Sequence, residues 1–215
     1  NGVDALNKFN PQEVPTTVTE SIRNRYGLKT EDYIVGFCGR LVRDKGVTEL
    51  VGAIKLLKEQ HPEIPIKLFV VGFLEKRDAL PDETVKFLKE SKDVIFTGRV
   101  EYSEIQNYYT VMDTFVLPSY REGFPTVVLE AAAMNLPLIV SRSTGCIDSI
   151  IENVTGVYCD ISPESIAQAI MTFWDKEKTR QYGQAARQFV LDNFEHTKVK
   201  KLMLDLVNDI TSHRG

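Results

Sequence analysis

Residues 121–130 read REGFPTVVLE and place two carboxylates, Glu122 and Glu130, on either side of a glycine, a proline and an apolar run. Glu130 is the only charge between Glu122 and Arg142. A lone carboxylate among apolar neighbours is costly unless it has a partner. With Glu122 in a loop and Glu130 inside the helix that follows, both carboxylates can contact one extended ligand.

The backbone between the two glutamates supplies hydrogen-bond donors. Pro125 suits the first turn of a helix, because it lacks an amide that a helix start leaves unpaired. The free amides of Gly123, Phe124 and Thr126 are expected to point into the same crevice as the carboxylates. Such a segment suits a ligand with hydroxyl and phosphate groups. The alternative is structural, with the second glutamate buried in an ion pair with an arginine and the first in the field of the helix N-terminus.

A second loop, CGRLVRDKG at residues 38–46, carries two cations close to a helix start. Gly39 lets the backbone approach a ligand closely, and Arg40 and Lys45 stand near free helix amides that favour an anion. These features describe a phosphate site, with a solvated basic loop as the alternative. The loop matches neither the G-x-x-x-x-G-K-[ST] motif nor G-x-G-x-x-G, which disfavours an ATPase and a dinucleotide oxidoreductase.

Composition narrows the class of protein. The 215 residues have a net charge of -4 and 43% hydrophobic content, which suits one soluble domain and disfavours nucleic acid as a partner. Three separated cysteines indicate reduced core thiols, and the histidines at positions 61, 196 and 213 lack ligand spacing, so no metal site is predicted. No apolar run approaches the roughly 20 residues of a membrane span, and the N-terminus does not resemble a secretory signal. We therefore expect a cytoplasmic protein.

Short apolar segments alternate with amphipathic ones along the chain. Strands are predicted at residues 33–38, 66–72, 93–100, 114–119, 136–141 and 156–160, with helices between them and at the end of the chain. Uniformly apolar strands separated by helices indicate an α/β fold with a doubly wound parallel sheet in a single domain, residues 1–215. Ligands of such sheets bind outside the carboxyl ends of the strands, where the loops described above lie. Residues 1–30 show little periodicity and are interpreted as a connector.

The segment REGFPTVVLEAAAMNLPLIVSRSTGCIDSIIENVTGVY closely resembles the donor-site signature of family 4 of the GT-B glycosyltransferases, with its two glutamates separated by seven residues. The likeness extends to FTGRV, VVG, GRLVRDKG and the opening NGVDALNKFNP, and so covers nearly the whole chain. It implies the Rossmann-like C-terminal half of a GT-B enzyme of the bacterial polysaccharide type. In this family that half binds the nucleoside diphosphate sugar donor.

The resemblance also implies individual roles. Glu122 is expected to contact hydroxyls of the transferred sugar, and Glu130 the ribose hydroxyls. Arg40 and Lys45 match the cations that hold the donor diphosphate. Because the sequence has no D-x-D metal motif, these fixed cations must stabilise the departing diphosphate, so Arg40, Lys45 and Glu122 are the candidate catalytic residues. The substrate-binding candidates are Arg99 and Val100 against the base, with Gly39, Gly123, Phe124, Pro125, Thr126 and Glu130.

Enzymes of this family pair two such domains, and the N-terminal one, which binds most of the acceptor, is missing from this sequence. The resemblance therefore implies a domain that is inactive alone and has an acceptor-binding domain as its partner. The C-terminal run KVKKLMLDLVNDI is interpreted as a helix that reaches back to that domain. A peripheral association of the whole enzyme with a membrane is left open.

Two other functions remain open. A non-catalytic nucleotide-binding module would need Glu130 and the cations but would have no use for a sugar-facing Glu122. A nucleotide-sugar epimerase on the same fold is disfavoured by the spacing of the motifs. The resemblance implies retaining transfer of a hexose or N-acetylhexosamine to a polysaccharide or lipid-linked acceptor, and analogy with capsule enzymes favours a UDP-sugar.

Overall fold

The computed structural model describes residues 2–212, and the side chains of residues 2–208. His213 therefore lies outside the described residues. Within them the strands form one six-stranded sheet in the order β3-β2-β1-β4-β5-β6, with every neighbouring pair parallel. Their bounds are β1 Tyr33–Leu41, β2 Ile66–Leu74, β3 Val94–Gly98, β4 Thr114–Leu117, β5 Leu138–Ser141 and β6 Gly156–Cys159. The predicted doubly wound parallel sheet is confirmed.

Helices cover the sheet. They are α1 Thr16–Arg25, α2 Val47–Gln60, α3 Asp82–Glu90, α4 Ile105–Tyr109, α5 Thr126–Ala133, α6 Pro163–Met171, α7 Lys176–Asn193 and α8 His196–Ser212, with 3-10 turns at Arg43–Lys45, Tyr102–Glu104 and Ile147–Ser149. Every residue of β4 and β5 is buried, because helices pack on both faces of the sheet centre.

Residues 1–30 are more ordered than the connector interpretation anticipated. They contain α1, which buries only Ile22, so its apolar stripe is too narrow to show as a helical period in the sequence. Before α1, the side chains of Val3, Ala5 and Phe9 are buried in the core. The segment is thus an integral part of the domain, because its apolar side chains belong to the core.

The strand order reverses between β1 and β4, which is the switch point where ligands of such sheets bind. Gly46 ends the loop after β1 with a φ of +66°, a left-handed conformation that favours glycine. A Cβ at Gly46 would lie 2.1 Å from the carbonyl oxygen of Pro118, just beyond β4. This close approach draws the two loops together at the switch point.

Candidate functional site

A polar cavity of about 330 Å³ opens at the carboxyl ends of the strands beside the switch point. Its lining is dominated by charged side chains: Arg40, Lys45, Arg77, Arg121, Asp44, Glu75 and Asp78, together with Val42. The structure therefore brings the two predicted cations into one crevice. Arg77 and Arg121 were missed as individual residues, although they lie in the loops after β2 and β4, where the fold class places ligands.

Lys45 and Glu122 form an ion pair. Lys45 Nζ donates to Glu122 Oε1 at 2.5 Å, and the two side chains are only 18% and 11% exposed. The residues expected to contact the diphosphate and the sugar thus contact each other. An ammonium group has three donors, so Lys45 can keep this bond and still donate to an anion. Gly145 supports the pair, since a Cβ there would lie 2.3 Å from the carbonyl oxygen of Glu122.

Arg40 has a weaker attachment. Its guanidinium pairs with Glu75 at 2.7 Å, but the Arg40 side chain is 58% exposed. Exposed ion pairs contribute little to stability, so this arginine can turn towards an anion in the cavity at small cost.

A second cavity of about 210 Å³ adjoins the first, and Arg40 lines both. It is bounded by Cys38, Gly39, Arg40, Val71, Gly72, Phe73, Arg99, Val100 and Ile105. Four predicted residues, Gly39, Arg40, Arg99 and Val100, therefore meet there. Phe73 was not predicted from the sequence; it is 38% exposed, and its ring lies 5.7 Å from the Arg99 guanidinium.

Gly39 and Gly72 allow the two strands beside this cavity to approach closely. Gly39 has a φ of +147°, and a Cβ at Gly72 would lie 1.9 Å from the Gly39 carbonyl oxygen. Larger residues would therefore displace the strand ends. Bare backbone of this kind leaves space at the sheet edge, and the approach of a ligand to Gly39 stays a prediction.

Glu130 lies in α5 and is 5% exposed. Its Oε1 accepts a hydrogen bond from the Tyr102 hydroxyl at 3.1 Å, and its Oε2 accepts one from the Tyr109 hydroxyl at 3.0 Å. The alternative of a buried ion pair with an arginine is therefore wrong. Burial raises the pKa of Glu130, while the hydrogen bonds from Tyr109 and Tyr102 act in the opposite direction.

Tyr102 covers Glu130 from the solvent side. Its side chain is 63% exposed, whereas Tyr109 is buried against Phe9 and Phe115. Lys8 holds Tyr102 in place, because its Nζ lies 3.0 Å from the ring centroid and donates to the Tyr102 carbonyl oxygen. Tyr102 and Lys8 were missed, since only the fold brings them to α5, although Lys8 lies in the opening segment NGVDALNKFNP.

The start of α5 differs slightly from the prediction. Pro125 precedes the helix as its cap, so it does not belong to the first turn, and α5 begins at Thr126. Among the described residues, no acceptor is found for the amides of Gly123, Phe124 and Thr126. The Phe124 ring packs on Phe194 with centroids 5.5 Å apart, so its amide is the part left for a ligand.

The three cysteines are free and buried, as the prediction of core thiols requires. Burial raises the pKa of Cys38 and of Cys159 to about 12, and it also raises the pKa of Cys146. All three are therefore thiols at neutral pH. Among the described helices, none combines the length and apolar character needed to cross a membrane.

Residues 18–189 match the family of glycosyl transferases group 1. The chain belongs to this family. CapM, a capsular polysaccharide biosynthesis glycosyltransferase of Staphylococcus aureus, is 31% identical over 169 residues, which cover 78% of this chain and 43% of CapM. The chain therefore spans less than half the length of this relative.

Solved structures of other proteins have the same fold as this chain. Anabaena HepE in complex with UDP-glucose superposes with a TM-score of 0.82 at 19% identity, over 97% of this chain and 56% of HepE. The C-terminal domain of LpcC, a glycosyl transferase group 1 family protein from Francisella tularensis, superposes with a TM-score of 0.75 at 24% identity, over 91% of this chain and all of that domain. The fold is the Rossmann-like C-terminal half of a GT-B glycosyltransferase.

Two of the three carboxylates that line the 330 Å³ cavity, those of Glu75 and Asp78, have protein partners. Glu75 pairs with Arg40, and Asp78 Oδ2 accepts from the Asp44 amide at 3.0 Å. Arg40, Lys45, Arg77 and Arg121 then supply more positive than negative charge to the cavity lining. This arrangement can bind and stabilise a polyanion through fixed cations.

Proposed function

We propose that this chain is the donor-binding domain of a family 4 GT-B glycosyltransferase and binds a nucleoside diphosphate sugar without a metal ion. The observation that carries the proposal is the cation-lined cavity at the switch point, with the Lys45–Glu122 pair at its edge. Fixed cations stabilise negative charge that develops on a departing diphosphate, and their effect is largest where water is excluded.

The two adjoining cavities suit the parts of such a donor. The diphosphate occupies the larger cavity, and the base lies against Phe73 and Val100 in the smaller one. Glu130 accepts hydrogen bonds from the ribose hydroxyls once Tyr102 moves aside. Glu122 accepts from hydroxyls of the sugar, and its pairing with Lys45 couples the sugar end of the site to the phosphate end.

For the whole enzyme we propose retaining transfer, in the cytoplasm, of a hexose or N-acetylhexosamine to a polysaccharide or lipid-linked acceptor. The role of CapM in capsular polysaccharide biosynthesis supports the acceptor class, and the UDP-glucose complex of HepE supports a UDP-sugar donor. An acceptor-binding domain completes the cleft in this proposal. Helix α8 is a suitable contact for it, since Leu202, Met203, Leu204 and Leu206 are 55–67% exposed.

Calorimetric titration tests the proposal. UDP, GDP, ADP and their sugars are titrated into the protein in the presence of EDTA, and one nucleotide series is expected to bind. Replacing Lys45 or Arg40 by alanine should weaken nucleoside diphosphate binding by about 1.5–3 kcal/mol, the usual contribution of hydrogen bonds to charged groups. Arg180→Ala is the control, because Arg180 lines a different cavity beside Trp174.

Two results would contradict the proposal. Loss of binding in EDTA would exclude metal-independent recognition. Unchanged affinity in both the Lys45 and Arg40 variants would show that the cavity does not hold the diphosphate.

A further inference from the structure

A second group of polar residues lies where α7 meets α8. This part of the domain has no role in the proposed donor binding. Glu195 joins these helices and forms a parallel bridge with Val3, which brings the N-terminal segment against the start of α8. A carboxylate oxygen of Asp4, a carboxylate oxygen of Glu195 and a ring nitrogen of His196 all lie within 4.8 Å of one another. The residues come from opposite ends of the chain and meet only in the fold.

Glu195 is almost completely buried, at 2% exposure. Its two carboxylate oxygens differ in their hydrogen bonds. Oε2 caps α8, since it accepts from the Thr197 hydroxyl and from the amides of Thr197 and Lys198. Oε1 is buried and accepts no hydrogen bond. A buried carboxylate oxygen without a donor is rare, and it requires a partner that the protein's own hydrogen bonds do not provide.

His196 is the neighbour of this oxygen. Its Nδ1 lies 2.9 Å from Glu195 Oε1 and 4.0 Å from Asp4 Oδ1. The first contact is short but lacks the direction of a hydrogen bond. For comparison, two ligands of one tetrahedral zinc ion are about 3.3 Å apart, given zinc–ligand bonds of about 2.0–2.1 Å. The two separations lie on either side of that value, so small side-chain rotations would bring the atoms to one ion.

The local charge also favours a cation. Asp4 and Glu195 bring two carboxylate groups to one imidazole. Hydrogen bonds from Asn7 to Asp4, and from Thr197 to Glu195, hold both carboxylates in place.

We propose that Asp4, Glu195 and His196 bind a divalent transition-metal ion, of which Zn²⁺ best matches the two oxygen ligands and one imidazole. Water completes the coordination. Such an ion joins the N-terminal segment to the start of α8 and fixes the direction in which α8 leaves the domain. Because it binds only the folded chain, it raises the stability of the domain by mass action.

Zinc titration of tag-free protein tests this site. One equivalent of ZnCl₂ should bind, and zinc should raise the melting temperature. His196→Ala and Asp4→Asn should each weaken zinc binding at least tenfold and abolish the rise. His61→Ala is the matched control, because His61 is also exposed near a glutamate, Glu63, but belongs to no such cluster. It should leave zinc binding unchanged.

The variants are chosen so that folding does not obscure the result. Glu195→Gln also disturbs the cap of α8, whereas His196→Ala leaves the capping oxygen in place. Absence of saturable zinc binding overturns the proposal, as does equal binding by the parent and His196→Ala. If His196→Ala lowers the melting temperature of a protein that binds no zinc, the cluster is an ion pair only and the proposal fails. Donor titrations in EDTA are independent of this outcome, because the cluster contacts none of the cations of the donor cavity.

Discussion

The two glutamates of REGFPTVVLE have different surroundings, although they were recognised as a pair. Glu122 is bonded to an ammonium group and lies at the edge of the cation-lined cavity. Glu130 is buried under two tyrosine hydroxyls and forms no ion pair with any described residue. A carboxylate beside a cation suits a site where charge changes, while a carboxylate among hydroxyl groups suits recognition of other hydroxyl groups. The residues thus suit the sugar and the ribose respectively.

This difference leads to a prediction for alanine variants. Glu130→Ala should weaken the bare nucleotide and the nucleotide-sugar equally, by about 1–3 kcal/mol, because both ligands carry the ribose. Glu122→Ala should weaken binding of the nucleotide-sugar only, since the bare nucleotide lacks the hydroxyls of the transferred sugar. Calorimetric titration of both ligands into the parent and the two variants measures this, with circular dichroism to verify folding. Equal losses for both ligands in Glu122→Ala would rule out its assignment to the sugar.

The Tyr102 hydroxyl donates to Glu130, so in the proposed function it competes with the ribose for this carboxylate. Tyr102→Phe removes this hydrogen bond and keeps the ring, so UDP or the preferred nucleotide should bind more tightly by about 0.5–1.5 kcal/mol, the net contribution of one hydrogen bond. Ser103→Ala, in the same turn, is the control. Weaker nucleotide binding by Tyr102→Phe in calorimetry would mean that the hydroxyl contacts the ligand directly instead of covering Glu130.

Arg187 is the main link between elements at the N-terminal edge of the domain. From α7 it donates hydrogen bonds to the carbonyl oxygens of Ala5, Phe9 and Ala133, and to Asn10 Oδ1. One guanidinium thereby joins the N-terminal segment, the end of α5 and α7. The planar fork of arginine makes several directed bonds at once, which lysine cannot do.

Replacing Arg187 should therefore destabilise the fold. Arg187→Met keeps most of the side-chain volume but removes the Arg187 donor from three carbonyl oxygens and from Asn10 Oδ1, which keeps a bond from the Gln12 amide. We expect the free energy of unfolding to fall by about 2–4 kcal/mol. Urea denaturation followed by circular dichroism measures the change. Arg180→Ala, on the exposed face of the same helix, should leave the unfolding midpoint unaltered. A midpoint for Arg187→Met that matches the parent would show that the N-terminal segment does not depend on this link.

Helices and strands were predictable from the sequence where both faces of the element are buried. They were less predictable where only one face is buried. The apolar run YIVGFC predicted β1, because a strand covered on both faces needs apolar residues throughout. Helix α1 was missed, since it buries a single residue. The helix predicted between the strands at 136–141 and 156–160 is only the 3-10 turn Ile147–Ser149, as its loop packs against Glu122 and Gly123. Local pattern thus fails where a tertiary contact shapes the chain.

The residues of the candidate site can also be divided into those that the sequence predicts and those that only the fold reveals. The positions of Arg40, Lys45 and Glu122 were predictable because Arg40 lies at the carboxyl end of β1 and the other two follow a strand, where a parallel sheet gathers ligand contacts. Tyr102 and Lys8 were not, because their relation to Glu130 depends on side chains from distant segments. The cluster of Asp4 with His196 is also invisible in the sequence, since metal-ligand spacing is recognisable only between residues close in the chain.

At the scale of the whole molecule, the described residues form one domain that carries the whole of the proposed donor site. Both cavities lie at one edge of the sheet, and the exposed leucines of α8 have no counterpart among the described residues. The chain also spans 43% of CapM, so the matched relative carries further sequence. We therefore expect donor binding and sugar transfer to be separable.

The corresponding prediction is that the 215-residue chain binds its donor but does not transfer the sugar. Transfer requires the acceptor hydroxyl to be held close to the anomeric carbon in a cleft that excludes water, and one domain provides neither. Calorimetry should show binding of the nucleotide-sugar, while release of nucleoside diphosphate from it in the presence of an oligosaccharide acceptor should stay at the uncatalysed rate. The control is the same domain joined to an acceptor-binding half, in which Lys45→Ala should reduce turnover. Sustained turnover by the isolated chain would mean that the acceptor is bound by this domain, and the division of labour between two halves would be wrong.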